Sequence, residues 1–174
     1  AGACAYRIQD AQTLQVRAVG FGAKVGDSPY TPCPLENPVS VGPNDIVSAY
    51  PLAASGAGTS NVLAWVYTSR ARELFAGVGI PNATATEIKS AVNTQSLGDM
   101  FFGTRLNGLC VQVEDGHKLT NAQIVDEMGG VVMTLQGSQR STHAGDSNVL
   151  NLEVSGLNIP IGKGWKLNFT TTDA

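Results

Sequence analysis

The sequence predicts a mainly β fold: an antiparallel β-sandwich or jelly-roll-like barrel with two or three short helices in its connections. Apolar and polar residues alternate in short runs, the C-terminal part shows no helical period, and strands do not alternate with long helices. The 174 residues fit one domain, 1–174, and contain no internal repeat. A mixed α+β fold is the alternative.

Strands are predicted wherever apolar and polar side chains alternate. In the first, over 13–19, Leu14, Val16 and Ala18 share one face. Residues 61–67 are apolar on both faces, which is typical of a central strand covered on each side. The other predicted strands are 45–52, 109–113, 131–136, 150–154 and 165–170.

A proline-rich stretch, 26–45, predicts an extended surface loop or arm with at most a short strand at 39–41. Proline cannot donate to a strand ladder, and its restricted backbone lowers the entropic cost of ordering an arm against a neighbouring subunit. Candidate interface residues on this arm are Pro29, Tyr30, Pro32 and Pro34.

Two helices are predicted in the middle of the chain. Ser69 is placed to cap a short helix over 70–76 that ends at Gly77. Thr84 and Glu87 have the spacing of a capping box, and apolar residues follow at helical spacing.

A third helix is predicted over 121–128. Thr120 and Gln123 match a capping box, and Leu119 and Ile124 occupy the two positions of a hydrophobic staple.

Charge and hydropathy limit the kinds of partner that the chain can bind. The net charge is −3, and the eleven Lys and Arg are scattered along the chain, so clustered phosphate contacts and nucleic-acid binding are disfavoured. No apolar run approaches the roughly 20 residues that a membrane-spanning helix needs, so membrane insertion is not expected. The first residues lack the pattern of a signal peptide, and the absence of Met at position 1 fits removal of either an initiator or a leader.

Three cysteines leave the redox state open. Cys33, between two prolines, pairs with Cys4 if the N-terminus folds back, whereas Cys110 lies in a strand pattern and is expected to be a buried thiol.

No group of residues has the spacing of a catalytic, cofactor-binding or metal site. His117 follows Glu114 and Asp115, and His143 precedes Asp146 by three residues. Each set offers an acid and an imidazole, but both patterns are more typical of polar turns, and a zinc site would need both histidines together.

Aromatic residues are few. Trp65 and Trp165 lie on alternating apolar faces, which favours the core over a sugar-stacking platform. Met100, Phe101 and Phe102 form an apolar cluster that either plugs the sheet or anchors a subunit.

Low charge and the absence of a catalytic pattern predict a non-enzymatic structural or assembly protein. The expected role is a virion component, such as a capsid, decoration or spike-type subunit, which contacts copies of itself or other shell proteins in a homo-oligomer. A virion or extracellular location follows. A secreted carbohydrate-binding module or a surface appendage subunit is the alternative, and a small enzyme using the loop acids and histidines ranks third.

Overall fold

The computed structural model describes residues 3–23, 31–32, 40–52, 55–114, 116–136 and 152–173. Every strand pair in this part of the chain is antiparallel. The strands form one four-stranded and one nine-stranded sheet. The predicted mainly β, antiparallel sandwich- or barrel-like fold is therefore confirmed.

The small sheet has the order β3-β2-β1-β4. Its strands are β1 (Ala3–Asp10), β2 (Val16–Ala23), β3 (Thr31–Pro32) and β4 (Asp45–Leu52).

The large sheet has the other nine strands, which are β5 (Thr59–Thr68), β6 (Arg72–Pro81), β7 (Thr86–Ser90), β8 (Arg105–Val113), β9 (His117–Val125), β10 (Val131–Thr134), β11 (Leu152–Val154), β12 (Ile159–Pro160) and β13 (Lys166–Asp173). Its order is β10-β9-β13-β7-β6-β5-β8-β11, and β12 also pairs with β8. Helix α1 (Leu97–Phe101) is the one helix among the described residues. The six strands predicted from 45–52 onward each overlap an observed strand.

Strand β5 is buried on both faces, as its apolar sequence predicts. Val62, Ala64 and Val66 point into the larger of two apolar cores. Leu63 and Trp65, which alternate with them, point into the smaller core. Both cores therefore depend on this single strand.

The larger core lies inside the curl of the large sheet. Its fully buried side chains include Phe75 on β6, Leu109 on β8, Ile124 on β9 and Phe169 on β13, together with Phe101 on α1. Because strands from distant positions in the sheet share this core, the sheet is curled into a half-barrel.

The smaller core joins the two sheets. Ala5 on β1 and Phe21 on β2 pack against Leu63, Trp65 and Leu74 of the large sheet. The Trp65 indole N–H also donates to the carbonyl of Gly20 on β2, at 3.1 Å. This bond satisfies the only polar atom of a buried indole and fixes the small sheet against β5.

The first two predicted helices are wrong, because their residues form β6 and β7. Leu74 and Phe75 are consecutive and both buried, the first in the smaller core and the second in the larger. Only a strand directs neighbouring side chains to opposite faces in this way. Glu87 does not cap a helix; its carboxylate accepts from the Ser96 hydroxyl, while Val92 is exposed.

The third predicted helix is also wrong, because 117–125 is strand β9. The register passes from Thr170 opposite Asn121 to Thr171 opposite Leu119, which leaves Thr120 as the extra residue of a bulge. Leu119 and Ala122 consequently enter the same core although they are three residues apart. The bulge therefore imitates helical spacing.

The loops also differ from the prediction in where strands begin and which residues pair. The first predicted strand begins at Val16 rather than at residue 13, and Leu14 is exposed with a positive φ of 58°. In the proline-rich stretch, Ser40 and Val41 form no strand, whereas Thr31–Pro32 pairs with the end of β2. An edge position of this kind tolerates proline, since it needs few ladder donors.

Glu73 carries a half-buried carboxyl at the start of β6. Burial raises its pKa above the ordinary value of 4.5, and the Leu74 N–H and the Arg7 charge offset part of that effect. The folded chain therefore holds this proton to a higher pH than the unfolded chain does. The stability that the protonated Glu73 carboxyl contributes is lost as the pH rises through the raised pKa.

We expect Glu73→Gln to unfold at a higher urea concentration than the wild type at pH 7, because the amide removes the cost of burying a charge. The difference should shrink below pH 4.5, where the wild-type carboxyl is protonated in both states. Urea unfolding at both pH values measures it, with Asp99→Asn as the exposed control. An equal difference at both pH values would contradict the assignment.

Candidate functional site

A polar cluster lies at the end of the large sheet where β5 begins, β8 ends and β13 ends. Glu114 is at its centre, directly after β8, with its side chain almost fully buried. Its Oε1 accepts from the backbone N–H and the hydroxyl of Ser55, at 3.0 and 2.6 Å. Its Oε2 accepts from the backbone N–H of Asn61, at 2.8 Å. A buried carboxylate is thus held by three donors from two other segments.

His117 extends the cluster to the last strand. Its Nδ1 lies 3.6 Å from Glu114 Oε1, and its Nε2 lies 3.1 Å from Asp173 Oδ1. The Asp173 carboxylate is largely exposed and also accepts from the Asn82 amide, at 2.7 Å. His117 and Asp173 face each other because β9 and β13 pair at these residues.

The local sequence explains how Glu114 and His117 come together. The amide of His117 donates to the carbonyl of Glu114 at 3.3 Å, which closes a turn. Gly116 has a φ of +82° in that turn, a conformation that glycine adopts without strain. The turn predicted from Glu-Asp-Gly is therefore confirmed, although Asp115 lies outside the described residues.

The contacts of the cluster tie separate segments of the chain together. A nucleophilic serine is activated by a hydrogen bond to a histidine. Here the Ser55 hydroxyl donates to Glu114, and the imidazole of His117 lies between two carboxylates. The carboxylate of Glu114 is engaged by donors rather than directed at solvent.

Among the residues that the structure describes, no group of three or more His, Cys, Asp and Glu is arranged to hold a metal ion. His143 and Asp146 lie outside those residues, so the structure does not test a site that includes them. Within the described ranges, no helix is both long and apolar enough to cross a membrane.

The three cysteines are only partly placed. Cys33 lies outside the described residues, so its pairing with Cys4 stays a prediction. Cys110 is in β8, as predicted, and carries a thiol. It is half-buried at the margin of the smaller core rather than fully enclosed.

The aromatic residues divide between core and surface. Trp65 is only 1% exposed, and Trp165 is half-buried against the larger core. Phe101 is buried and Met100 packs beside it, whereas Phe102 is exposed. The core interpretation therefore fits Phe101, and Phe102 is left as the interface candidate of this group.

The candidate interface residues of the arm are mostly outside the described chain. Pro29, Tyr30 and Pro34 are not described, and Pro32 is placed in β3. Sequence reasoning did not find two other surfaces, the apolar sides of β4 and β10. The sequence feature that could have indicated them is that neither strand contains a Lys or Arg.

Comparison with known proteins gives no assignment: no family model, no curated protein and no solved structure matches the chain.

We expect Glu114→Gln to lower the free energy of unfolding by about 3 kcal/mol, because the amide turns a donor toward the N–H groups that the carboxylate now accepts from. Asp173→Asn is the control on the exposed side of the cluster and should cost less than about 1 kcal/mol. Chemical unfolding of both variants measures this. Equal small losses would show that Glu114 does not hold the segments together.

Proposed function

We propose that this chain is a non-enzymatic structural subunit that assembles through protein–protein contacts. We further propose that it belongs to a virus particle, as a capsid, decoration or spike-type component. The partners are copies of the chain itself or other shell proteins, and the location is the virion or the extracellular space.

The main support is the character of two outer strands. In the described part of the chain, β4 ends the small sheet and β10 ends the large sheet. On β4, Ile46 and Val47 are 49% and 62% exposed, and on β10, Val131 and Val132 are 57% and 41% exposed. Proteins that act alone commonly protect such edges with lysine or other charges, because an open apolar edge invites pairing with another chain.

The low charge of the chain supports the same proposal. Only 14% of residues are charged, and charged groups are the ones depleted at the centres of interfaces. The geometry gives less support to the carbohydrate-binding alternative. A glycan platform needs exposed aromatic faces, and of the two tryptophans considered for it, Trp65 is buried and Trp165 is half-buried.

The virion part of the proposal rests on the absence of a catalytic, cofactor-binding or metal-site pattern in the sequence, together with the β architecture. Antiparallel sandwiches and barrels serve many unrelated functions, so architecture alone assigns none of them. The native mass of the untreated material is therefore the decisive observation. A closed oligomer or a very large particle is the expected result.

We expect the purified chain to sediment as larger species at higher concentration in sedimentation velocity, because copies associate. Val47→Lys and Val131→Lys should weaken this association, because each places a charge on an apolar edge. Val78→Lys is the matched control, since Val78 is also exposed but lies on β6, between two neighbouring strands of the sheet. A chain that stays monomeric at high concentration and binds no larger particle would end the proposal.

A further inference from the structure

One end of the folded molecule carries a basic patch, defined here as Arg70, Phe102 and Arg105. Phe102 follows α1 directly, and its side chain is 61% exposed. Arg70 and Arg105 flank it, because the backbone of Ser69 bonds to Arg105 and the guanidinium of Arg70 donates to the carbonyl of Met100, at 2.9 Å each.

Neither guanidinium group of the basic patch forms an ion pair within the described chain. Arg105 donates to the amide oxygen and the carbonyl of Asn158, and Arg70 lies over the ring of Phe101. These partners are all neutral. The ion pairs found among the described residues use other side chains.

An acidic tip, defined here as Asp126, Glu127 and Met128, lies at the turn between β9 and β10. Met128 is 92% exposed. Asp126 Oδ1 accepts from the backbone N–H groups of Met128 and Gly130, at 2.9 and 2.7 Å. The tip is therefore held in shape before any contact forms, which lowers the entropic cost of binding. The chain has no Lys or Arg over 119–136.

The basic patch and the acidic tip lie at the same end of the molecule. Gly98 in α1 packs closely against Gly164, since a Cβ atom built on Gly98 would lie 2.7 Å from the backbone nitrogen of Gly164. Gly164 in turn packs against Glu127, since a Cβ atom built on Gly164 would lie 3.0 Å from Cβ of Glu127. The tip is thus next to the turn that supports α1, and α1 ends beside the basic patch.

We propose that this end docks against the same end of a second copy of the chain, with the acidic tip of each copy on the basic patch of the other. A twofold contact requires that one surface carry both complementary halves. Here one half offers two guanidinium groups that form no ion pair among the described residues, beside an exposed phenyl ring. The other half offers two carboxylates beside an exposed thioether, which packs favourably on aromatic rings. This contact rests on the proposed assembly function and names its first interface.

Charge reversal tests the contact in the full-length chain. Glu127→Lys and Arg70→Glu should each raise the dimer dissociation constant at least about tenfold, because like charges then face each other twice per dimer. An equimolar mixture of the two variants should regain the wild-type constant, since both contacts again join opposite charges. Phe102→Ser should weaken the dimer without being rescued by mixing. Lys118→Glu, an exposed reversal on β9, is the control and should change nothing.

Sedimentation equilibrium measures each constant, and the thermal midpoint of each variant confirms that it is folded. Rescue by mixing supports the contact. A wild type that associates but is unaffected by all three interface variants would overturn it while leaving the assembly proposal in place, and another surface, such as β4, would then hold the copies together. A wild type that is monomeric throughout and binds no larger particle would overturn both.

Discussion

Strand β5 has to be buried on both faces, and the rest of the structure depends on this constraint. Its residues alternate between two cores, with Ala64 on one side and Trp65 on the other. A strand of this kind needs a cover for each face. The curl of the large sheet supplies the first cover and the small sheet supplies the second, so the smaller core is complete only when both sheets are in place.

Two cores occupy the body, and the clearest polar network is at one end, where Glu114 ties the beginning of β5 to the turn after β8. At the other end, α1 and the β9–β10 turn leave apolar side chains in solvent beside charges of both signs. One end therefore closes the fold, and the opposite end together with the outer strands presents surface suited to contacts with other copies.

Alternation with a period of two predicted β8 and β13, whereas β5 was predicted from a run that is apolar on both faces. Pattern-based prediction failed on β6 and β9. On β6, Leu74 and Phe75 serve different cores and read as a continuous apolar run, and on β9 the bulge at Thr120 moves the inward residues to a spacing of three. Glu114 and His117 were visible as an acid and an imidazole around a turn. Their contacts with Ser55 and Asp173 were not, because no local pattern signals a contact between residues 59 apart, as Ser55 and Glu114 are.

Native-state hydrogen exchange tests the central role of β5 most directly. Because both of its faces are covered, the amides of 62–66 should open only when the whole chain unfolds, and their exchange should report the global free energy of unfolding. The amides of β4 and β10, at the ends of their sheets, should exchange through smaller openings. Exchange on β5 as fast as on β4 or β10 would contradict the account.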